Sequence, residues 1–209
     1  HYLVEGLRDE APAARVLVTS SALVYGPSAT AIDEQHALVP GSPYGISKLA
    51  QELVAVGNGP APVTYIARPF NHFGPRQDPS FVSAAFARQI AEIEAGLRPA
   101  EIAVGNLEAR RDLTDVRDTV RAYRAIVERG VPGRPYNVCS GAAIAVHAIL
   151  DMLLSLARIP VTVVRDPARY RPNDTPIVLG DATRLTKEIG WAPRIPLEQP
   201  LLDLLDYWR

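Results

Sequence analysis

The 209-residue sequence contains little of several features that would assign it to a specialised class of protein. Its one cysteine, Cys139, excludes an intrachain disulfide framework and favours a reducing compartment, so we expect a cytoplasmic location. No apolar run approaches the roughly 20 residues of a transmembrane helix, so we expect no membrane partner. The formal net charge of −1 offers no basic surface for nucleic acid. The remaining composition, 47% hydrophobic and 22% charged, is typical of an ordinary globular protein.

Two further absences concern metal ligands and the start of the chain. His36, His147 and Cys139 have no neighbours at metal-ligand spacing, so we assign no metal. The sequence opens on "HYLVEGLRDEA", which has no initiator methionine and has the pattern of the second half of an amphipathic helix. A natural protein seldom begins in the middle of an element. We therefore expect an N-terminal portion to precede these residues.

Short runs rich in Val, Ile and Leu alternate along the chain with longer stretches of helical period. The segments 15–19 ("RVLVT") and 63–67 ("VTYIA") are predicted to be buried strands, with a helix over 43–56 between them. A strand, a crossover helix and a second strand this close together predict a parallel βαβ unit. Continuous apolar strands also indicate a sheet that is covered on both faces.

The pattern changes after residue 70. We predict an irregular connection over 68–80, and then a set of further elements: helices near 81–96, 115–129, 144–157 and 197–209, and strands near 100–105, 134–141 and 161–166. The loops between them are rich in Pro, Arg and Gly. We therefore expect an α/β protein in which residues 1–70 belong to a sheet domain. Residues 71–209 form mainly a smaller, interleaved lobe, with some segments returning to the sheet.

The segment "SPYGISKLAQE" (42–52) places a tyrosine and a lysine on one face of a predicted helix. Ser42 is a good N-cap and Pro43 suits the first helical position. Tyr44 and Lys48 then follow at i and i+4. A free phenol titrates near 10, and an ammonium held close favours the phenolate, so this spacing can create an acid/base pair. The same spacing is also compatible with two residues that merely decorate a helix surface.

Two segments with polar residues follow predicted parallel strands. In "VTSSALVYG" (18–26), Ser21 lies beyond the carboxyl end of the first strand, where ligands bind in open parallel sheets. It could hydrogen-bond a carbonyl or hydroxyl of a substrate, although a serine pair after a strand can also be a plain turn. "RPFNHFGPRQ" (68–77) follows the next strand and can be either a binding loop or a structured crossover.

Several arginines stand in apolar or turn contexts, among them Arg88, Arg111 and Arg171. The planar guanidinium forms bidentate bonds and is suited to a diphosphate. Each of them can instead be a surface or salt-bridge residue. Arg111 in particular has Asp112 and Asp115 close by, so a purely structural network is an alternative there.

Taken together, these segments resemble the extended short-chain dehydrogenase/reductases, also called the NAD-dependent epimerase/dehydratase family. The resemblance runs from about residue 15 to the end and is carried by Ser21, Tyr44-x-x-x-Lys48 and a series of motifs in order: "RPFNHFGP", "VGNLEARRDLTDVRD", "YNVCSG", "RPND" and "GWAPRIPLEQPLLDLL". Within the family, the sequence is most similar to the branch around GDP-mannose 4,6-dehydratase and GDP-4-keto-6-deoxy-mannose reductase. The resemblance implies the C-terminal part of a doubly wound, parallel Rossmann-type sheet with a smaller α/β substrate lobe.

The resemblance also implies roles for individual residues. Tyr44 corresponds to the acid/base at the sugar C4 oxygen, Lys48 to the residue that tunes it and bonds the nicotinamide ribose, and Ser21 to the hydroxyl that polarises the same oxygen. The cofactor is NADP or NAD, and the implied cofactor-binding residues are Ser20, Tyr44, Lys48, Phe70 and His72. The partner is a nucleotide sugar, with a GDP moiety favoured. The implied substrate-binding residues are Asn71, Val82, Arg88, Arg111 and Arg171.

The family resemblance further implies a homodimer. In this family the helix over 43–56 pairs across a two-fold axis, and here it carries an apolar set wide enough to pack on more than the sheet, formed by Ile46, Leu49, Ala50, Leu53 and Val54.

The sequence departs from the family pattern in two places. The glycine-rich dinucleotide fingerprint is absent, which a preceding segment of order 100 residues would explain, since half of a doubly wound sheet carries it. Dehydratases of this branch have a glutamate as dehydration base where this chain has Leu23, so dehydration is disfavoured. The leading hypothesis is therefore NAD(P)H-dependent reduction of the 4-keto group of a GDP-linked 6-deoxyhexulose. The alternatives are a nucleotide-sugar 4-epimerase or 4,6-dehydratase, or a non-catalytic sugar-nucleotide-binding protein without its cofactor half.

Overall fold

The computed structural model describes residues 2–57, 62–170 and 175–209. The helices in chain order are α1 (Tyr2–Glu10), α2 (Pro43–Gly57), α3 (Val82–Glu94), α4 (Val116–Arg129), α5 (Val146–Ser155), α6 (Thr183–Ile189) and α7 (Glu198–Trp208). The strands are β1 (Arg15–Thr19), β2 (Val63–Pro69), β3 (Asn71–Phe73), β4 (Glu101–Val104), β5 (Arg110–Asp115), β6 (Pro135–Val138), β7 (Ala143–Ala145), β8 (Thr162–Arg165) and β9 (Ile177–Val178). Short 3-10 helices cover Ala22–Val24 and Pro167–Arg169.

The chain forms two compact units, each assembled from three segments. Unit 1 consists of His1–Phe70, Arg117–Gly141 and Leu179–Pro193. Unit 2 consists of Asn71–Val116, Ala142–Val178 and Arg194–Arg209. Segments beyond residue 70 thus belong to both units, and the assignment of the units to cofactor and substrate stays a prediction.

Unit 1 contains a three-stranded parallel sheet in the order β1-β2-β6. The predicted βαβ unit is confirmed, since β1 pairs in parallel with β2 from Arg15↔Val63 to Thr19↔Ala67 and α2 lies between them in sequence. Nearly all of β2 is buried, as expected for a central strand with both faces covered. One apolar core supports this sheet, formed by Tyr65, Ala67, Ala122, Ala125, Ile126, Tyr136, Val138, Leu185, Ile189 and Trp191.

Unit 2 contains a mixed sheet and a separate parallel pair. β5 pairs in parallel with β3 and β9 and antiparallel with β7, while β4 pairs in parallel with β8. Its core includes the fully buried side chains of Ile90, Ile102, Ile149, Leu153 and Leu204, which lie on α3, β4, α5 and α7. The two cores share no residue, so each unit has its own apolar centre.

Several elements differ from the predictions. The segment predicted as an irregular connection contains β3, whose Asn71 pairs with Leu113 of β5. Strand β5 was missed because "RRDLTD" has the polar composition of a loop, although its last four residues are buried. Helix α6 was missed because it has only 7 residues; it ends at Gly190, which adopts the left-handed conformation that stops a helix. No described helix is long and apolar enough to cross a membrane.

Candidate active site

The carboxyl end of β1 in unit 1 brings together three of the residues singled out in the sequence. Lys48 donates a hydrogen bond of 2.9 Å from Nζ to the carbonyl of Thr19, the last residue of β1. The same ammonium lies 5.6 Å from the ring centre of Tyr44, one helical turn earlier. Ser21 follows two residues after the strand end. The Tyr44 ring remains half exposed and is therefore accessible to a ligand.

The start of α2 explains why Tyr44 lies at this edge. The predicted N-cap is confirmed, since Ser42 Oγ accepts a hydrogen bond of 3.1 Å from the Gly45 N–H. Gly45 touches the backbone of the preceding turn so closely that an added Cβ would lie 2.3 Å from the Leu23 carbonyl oxygen. Only glycine permits this approach, which draws Tyr44 towards the turn that follows Ser21.

The two serines after β1 are held differently. Ser21 caps the 3-10 helix Ala22–Val24, with its hydroxyl accepting a bond of 3.1 Å from the Leu23 N–H. Ser20 is only 3% exposed, and its hydroxyl oxygen has no hydrogen-bond partner within the described part of the chain. Buried hydroxyls are nearly always satisfied, so an unsatisfied one beside a candidate site fits a polar group of a ligand. The Leu23 side chain is about half exposed.

A buried polar network lies next to this site. Arg68, near the end of β2, forms a bidentate pair with Glu52 of α2, with Nε–Oε1 and Nη2–Oε2 distances of 2.9 and 2.6 Å. Its Nη1 donates to the Tyr25 hydroxyl at 3.0 Å, and that hydroxyl donates to Asn137 Oδ1 of β6 at 2.7 Å. All four residues are at most 5% exposed. Burial raises the pKa of Tyr25 well above its usual value, so its hydroxyl stays protonated and donates at any working pH.

A second phenol lies close enough to Tyr44 to interact with it electrostatically. Burial raises the pKa of Tyr123, on α4, to about 12, and the nearby Tyr44 contributes to the rise. Tyr123 therefore remains a neutral phenol beside the candidate acid. Neither Tyr123 nor the Arg68 network was anticipated from the sequence, because only the fold brings these positions next to α2. The charged Glu52 at i+8 from Tyr44 in an otherwise apolar helix end was the one available signal.

Unit 2 contains most of the remaining predicted residues. Asn71 and His72 lie on β3 beside β5, and the Gln77 side chain bonds the His72 carbonyl at 3.0 Å. Phe70, the last residue of unit 1, is buried and donates its N–H to the Val138 carbonyl. Val82 is the partly exposed first residue of α3.

The arginines predicted to bind diphosphate have partners within unit 2. Arg88 pairs with Glu92 at 2.7 Å and lies over the Trp208 ring. Arg111 Nη1 donates to the carbonyls of Arg110 and Thr175, at 2.9 and 2.7 Å. Arg171 lies outside the described residues. These contacts neither assign the arginines to a ligand nor test that role. In the described residues, no group of three His, Cys, Asp or Glu side chains could hold a metal.

The sequence matches the family model described as GDP-mannose 4,6 dehydratase over residues 1–203. It is 37% identical over 214 residues to GDP-6-deoxy-D-mannose reductase of Pseudomonas aeruginosa, covering 99% of this chain and 69% of that protein. It is also 25% identical to GDP-mannose 4,6-dehydratase of Vibrio cholerae, over 79% of this chain and 52% of that protein. The chain thus spans only about half of that dehydratase.

Solved structures give the same picture. The structure of RMD from Pseudomonas aeruginosa complexed with NADPH matches with a TM-score of 0.92 and 35% identity, covering 99% of this chain and 70% of that one. A putative epimerase from Burkholderia cenocepacia matches with a TM-score of 0.84 and 34% identity, covering 93% and 63%. An NAD-dependent NDP-hexosamine 5,6-dehydratase matches with a TM-score of 0.83 and 28% identity. The predicted α/β fold class is confirmed, and the matching structures are Rossmann-type enzymes.

Proposed function

The chain belongs to the GDP-mannose 4,6-dehydratase family of extended short-chain dehydrogenase/reductases, and we propose that the complete protein reduces the 4-keto group of a GDP-linked 6-deoxyhexulose. The observation that carries the proposal is that Lys48 contacts both the Tyr44 ring and the Thr19 carbonyl at the carboxyl end of β1, two residues before Ser21. Leu23, which cannot move a proton, favours reduction over dehydration. The 37% identity to a GDP-6-deoxy-D-mannose reductase supports the same choice.

The proposed chemistry assigns one task to each side chain. The Tyr44 hydroxyl donates a proton to the C4 oxygen as the carbonyl becomes an alcohol, a general-acid role. Lys48, held by the Thr19 carbonyl, stabilises the phenolate that remains. Ser21 donates a hydrogen bond to the same C4 oxygen and so polarises the carbonyl. A bound nicotinamide supplies the hydride that reaches C4.

The cofactor is NADPH or NADH, since one related structure is a complex with NADPH and another is that of an NAD-dependent enzyme. The residues that would hold it are Ser20, Phe70 and His72 together with Tyr44 and Lys48. The unsatisfied, buried hydroxyl of Ser20 supports a polar ligand group at this position.

The substrate is proposed to bind through unit 2. Asn71 and Val82 would contact the sugar nucleotide, and Arg88, Arg111 and Arg171 its diphosphate. Arg88 and Arg111 make their described contacts at partly exposed positions, from which a guanidinium can turn to a diphosphate at small cost.

We also propose a homodimer. Helix α2 exposes several large apolar side chains that unit 1 leaves uncovered: Ile46 is 57%, Leu53 65% and Val54 37% exposed. Such a contiguous apolar face is typical of a protein–protein contact. The cytoplasmic location proposed from composition is consistent with Cys139, which is a buried cysteine.

The decisive experiment is an NADPH-oxidation assay of the complete gene product with a GDP-4-keto-6-deoxyhexose. A reductase consumes one NADPH for each hexose reduced. A 4-epimerase or 4,6-dehydratase returns its cofactor unchanged, so conversion of a nucleotide sugar without net NADPH loss would replace this proposal by that alternative. Binding of the nucleotide sugar without any turnover would favour the non-catalytic alternative.

A further inference from the structure

The buried Arg68 network contacts the helix that carries Tyr44 and Lys48. Tyr44, Lys48 and Glu52 follow one another at intervals of four on α2 and therefore lie along one side of the helix. Glu52 is 4% exposed, and each of its carboxylate oxygens accepts a hydrogen bond from Arg68. The helix that carries the acid is thus fastened to the end of β2 by a rigid, two-point contact.

The same guanidinium is fastened to the turn that carries Ser21. Its Nη1 donates to the Tyr25 hydroxyl, and its Cζ lies 5.0 Å from the centre of the Tyr25 ring. Tyr25 ends the 3-10 helix that Ser21 begins, and its N–H donates to the Ala22 carbonyl. Arg68 therefore connects both candidate catalytic segments, α2 and the 21–25 turn, through hydrogen bonds of its one side chain.

The network ends in a fully buried asparagine, whose side-chain oxygen and nitrogen both form hydrogen bonds. Asn137 Oδ1 accepts from Tyr25, and its Nδ2 donates to the carbonyls of Ile32 and Asp181 at 2.8 and 3.3 Å. Its backbone N–H donates to Glu34 at 2.8 Å. Asn137 of β6, which is held by the 28–41 loop, thus fixes the Tyr25 hydroxyl that Arg68 also contacts.

We propose that Arg68 and Tyr25 are positioning residues, which set the distance between the Ser21 hydroxyl and the Tyr44–Lys48 pair. This inference rests on the proposed reduction at C4 and adds to it the groups that hold its acid in place. A hydroxyl and a phenol that act on one oxygen atom must both be within hydrogen-bond reach of it, and they come from two separate segments. The Arg68 side chain bonds to both segments at once.

The protonation states of Arg68 and Tyr25 support a fixed arrangement of the network. Burial opposes the charge of Arg68, but its bonds to Glu52 and Tyr25 outweigh that effect and raise its pKa above the usual value. Tyr25 remains protonated because burial raises its pKa. Neither Arg68 nor Tyr25 changes its protonation state in the working pH range, so the hydrogen bond between them is kept throughout that range.

The test uses Tyr25→Phe in the complete gene product, which removes one hydroxyl and keeps the ring. We expect kcat for NADPH-dependent reduction to fall about tenfold, since a small misplacement of reacting groups is costly, while the dissociation constant for NADPH changes less than twofold. The matched control is Tyr136→Phe, which removes a hydroxyl of unit 1 that bonds Glu188 and the Val131 N–H instead. The control is expected to lose thermal stability and keep kcat within twofold.

A second variant, Arg68→Lys, keeps the charge but cannot form the bidentate bond and the Tyr25 bond together. We expect a larger loss of kcat than in Tyr25→Phe. If wild-type protein reduces the sugar and Tyr25→Phe retains kcat within twofold, or loses no more than Tyr136→Phe, the positioning role is overturned and the proposed function stands. If wild-type protein binds NADPH but reduces no 4-keto sugar, the proposed function is overturned and the inference fails with it.

Discussion

One ion pair of unit 1 and one of unit 2 hold their side chains in different ways. In unit 1 the side chains of Arg68 and Glu52 are each 5% exposed and form two parallel bonds. In unit 2 the pair of Arg88 and Glu92 is 48% and 30% exposed. A buried pair keeps one geometry because a lone buried charge is costly, whereas an exposed pair exchanges with water and ions at little cost. The contrast is between these two pairs, since unit 2 also contains the largely buried pair of Arg209 and Glu94 and unit 1 the exposed pair of Arg124 and Glu128.

The largest effect that we expect concerns stability. Glu52→Gln leaves the Arg68 charge buried and uncompensated, so the free energy of unfolding should fall by about 3–5 kcal/mol. Glu92→Gln removes the matching partner in unit 2 and should cost at most about 1 kcal/mol. Urea denaturation of the two variants beside wild type measures both values. Equal losses would remove the difference between the two pairs.

The next effect concerns the chemical step. Tyr44→Phe should lower kcat by about a hundredfold or more, since a positioned general acid contributes that much, and should leave stability unchanged because the ring is half exposed. Tyr207→Phe is the control, since Tyr207 is similarly exposed but lies on α7 of unit 2. If Tyr44→Phe turned over normally, the tyrosine would be only a surface residue of α2.

The close approach of α2 to the Leu23 backbone can be tested with two glycines of that helix. Gly45→Ala places a Cβ against the Leu23 carbonyl oxygen and should destabilise the protein by about 1–3 kcal/mol, as overpacking does. It should also lower kcat, because α2 must shift away from the turn. Gly57→Ala meets nothing within 4 Å and should stabilise the protein by at most about 1 kcal/mol. Thermal unfolding and initial rates check both; a harmless Gly45→Ala would contradict the close approach.

The smallest effect concerns unit 2. Arg111→Ala should raise KM for the sugar nucleotide about tenfold through loss of a charge-assisted bond, with kcat within twofold. The neighbouring Arg110→Ala serves as control, since Arg110 likewise bonds a backbone carbonyl, that of Ala143. Steady-state kinetics distinguish them. Equal KM changes in both variants would leave Arg111 as a structural residue.

The elements that sequence reasoning predicted well are those with strong local signals. The cap at Ser42 and the apolar strand β1 depend on interactions within a few residues, and both are present. Strand β5 was missed because its buried residues are polar and become strand only through pairing with β3, β7 and β9. Short α6 was missed for a similar reason, since Leu185 and Ile189 are buried in the core of unit 1 and too few residues show the helical period.

The sequence by itself determined the Tyr44–Lys48 spacing, the α/β class and the family, because these depend on residue identity and on order along the chain. Only the tertiary structure decided that Lys48 meets the end of β1, that Gly45 touches the Leu23 carbonyl, and that Arg68 bonds to both Glu52 and Tyr25. These contacts join positions up to 43 residues apart. No local pattern encodes them, since they arise when parallel strands bring their carboxyl ends to one edge of the sheet.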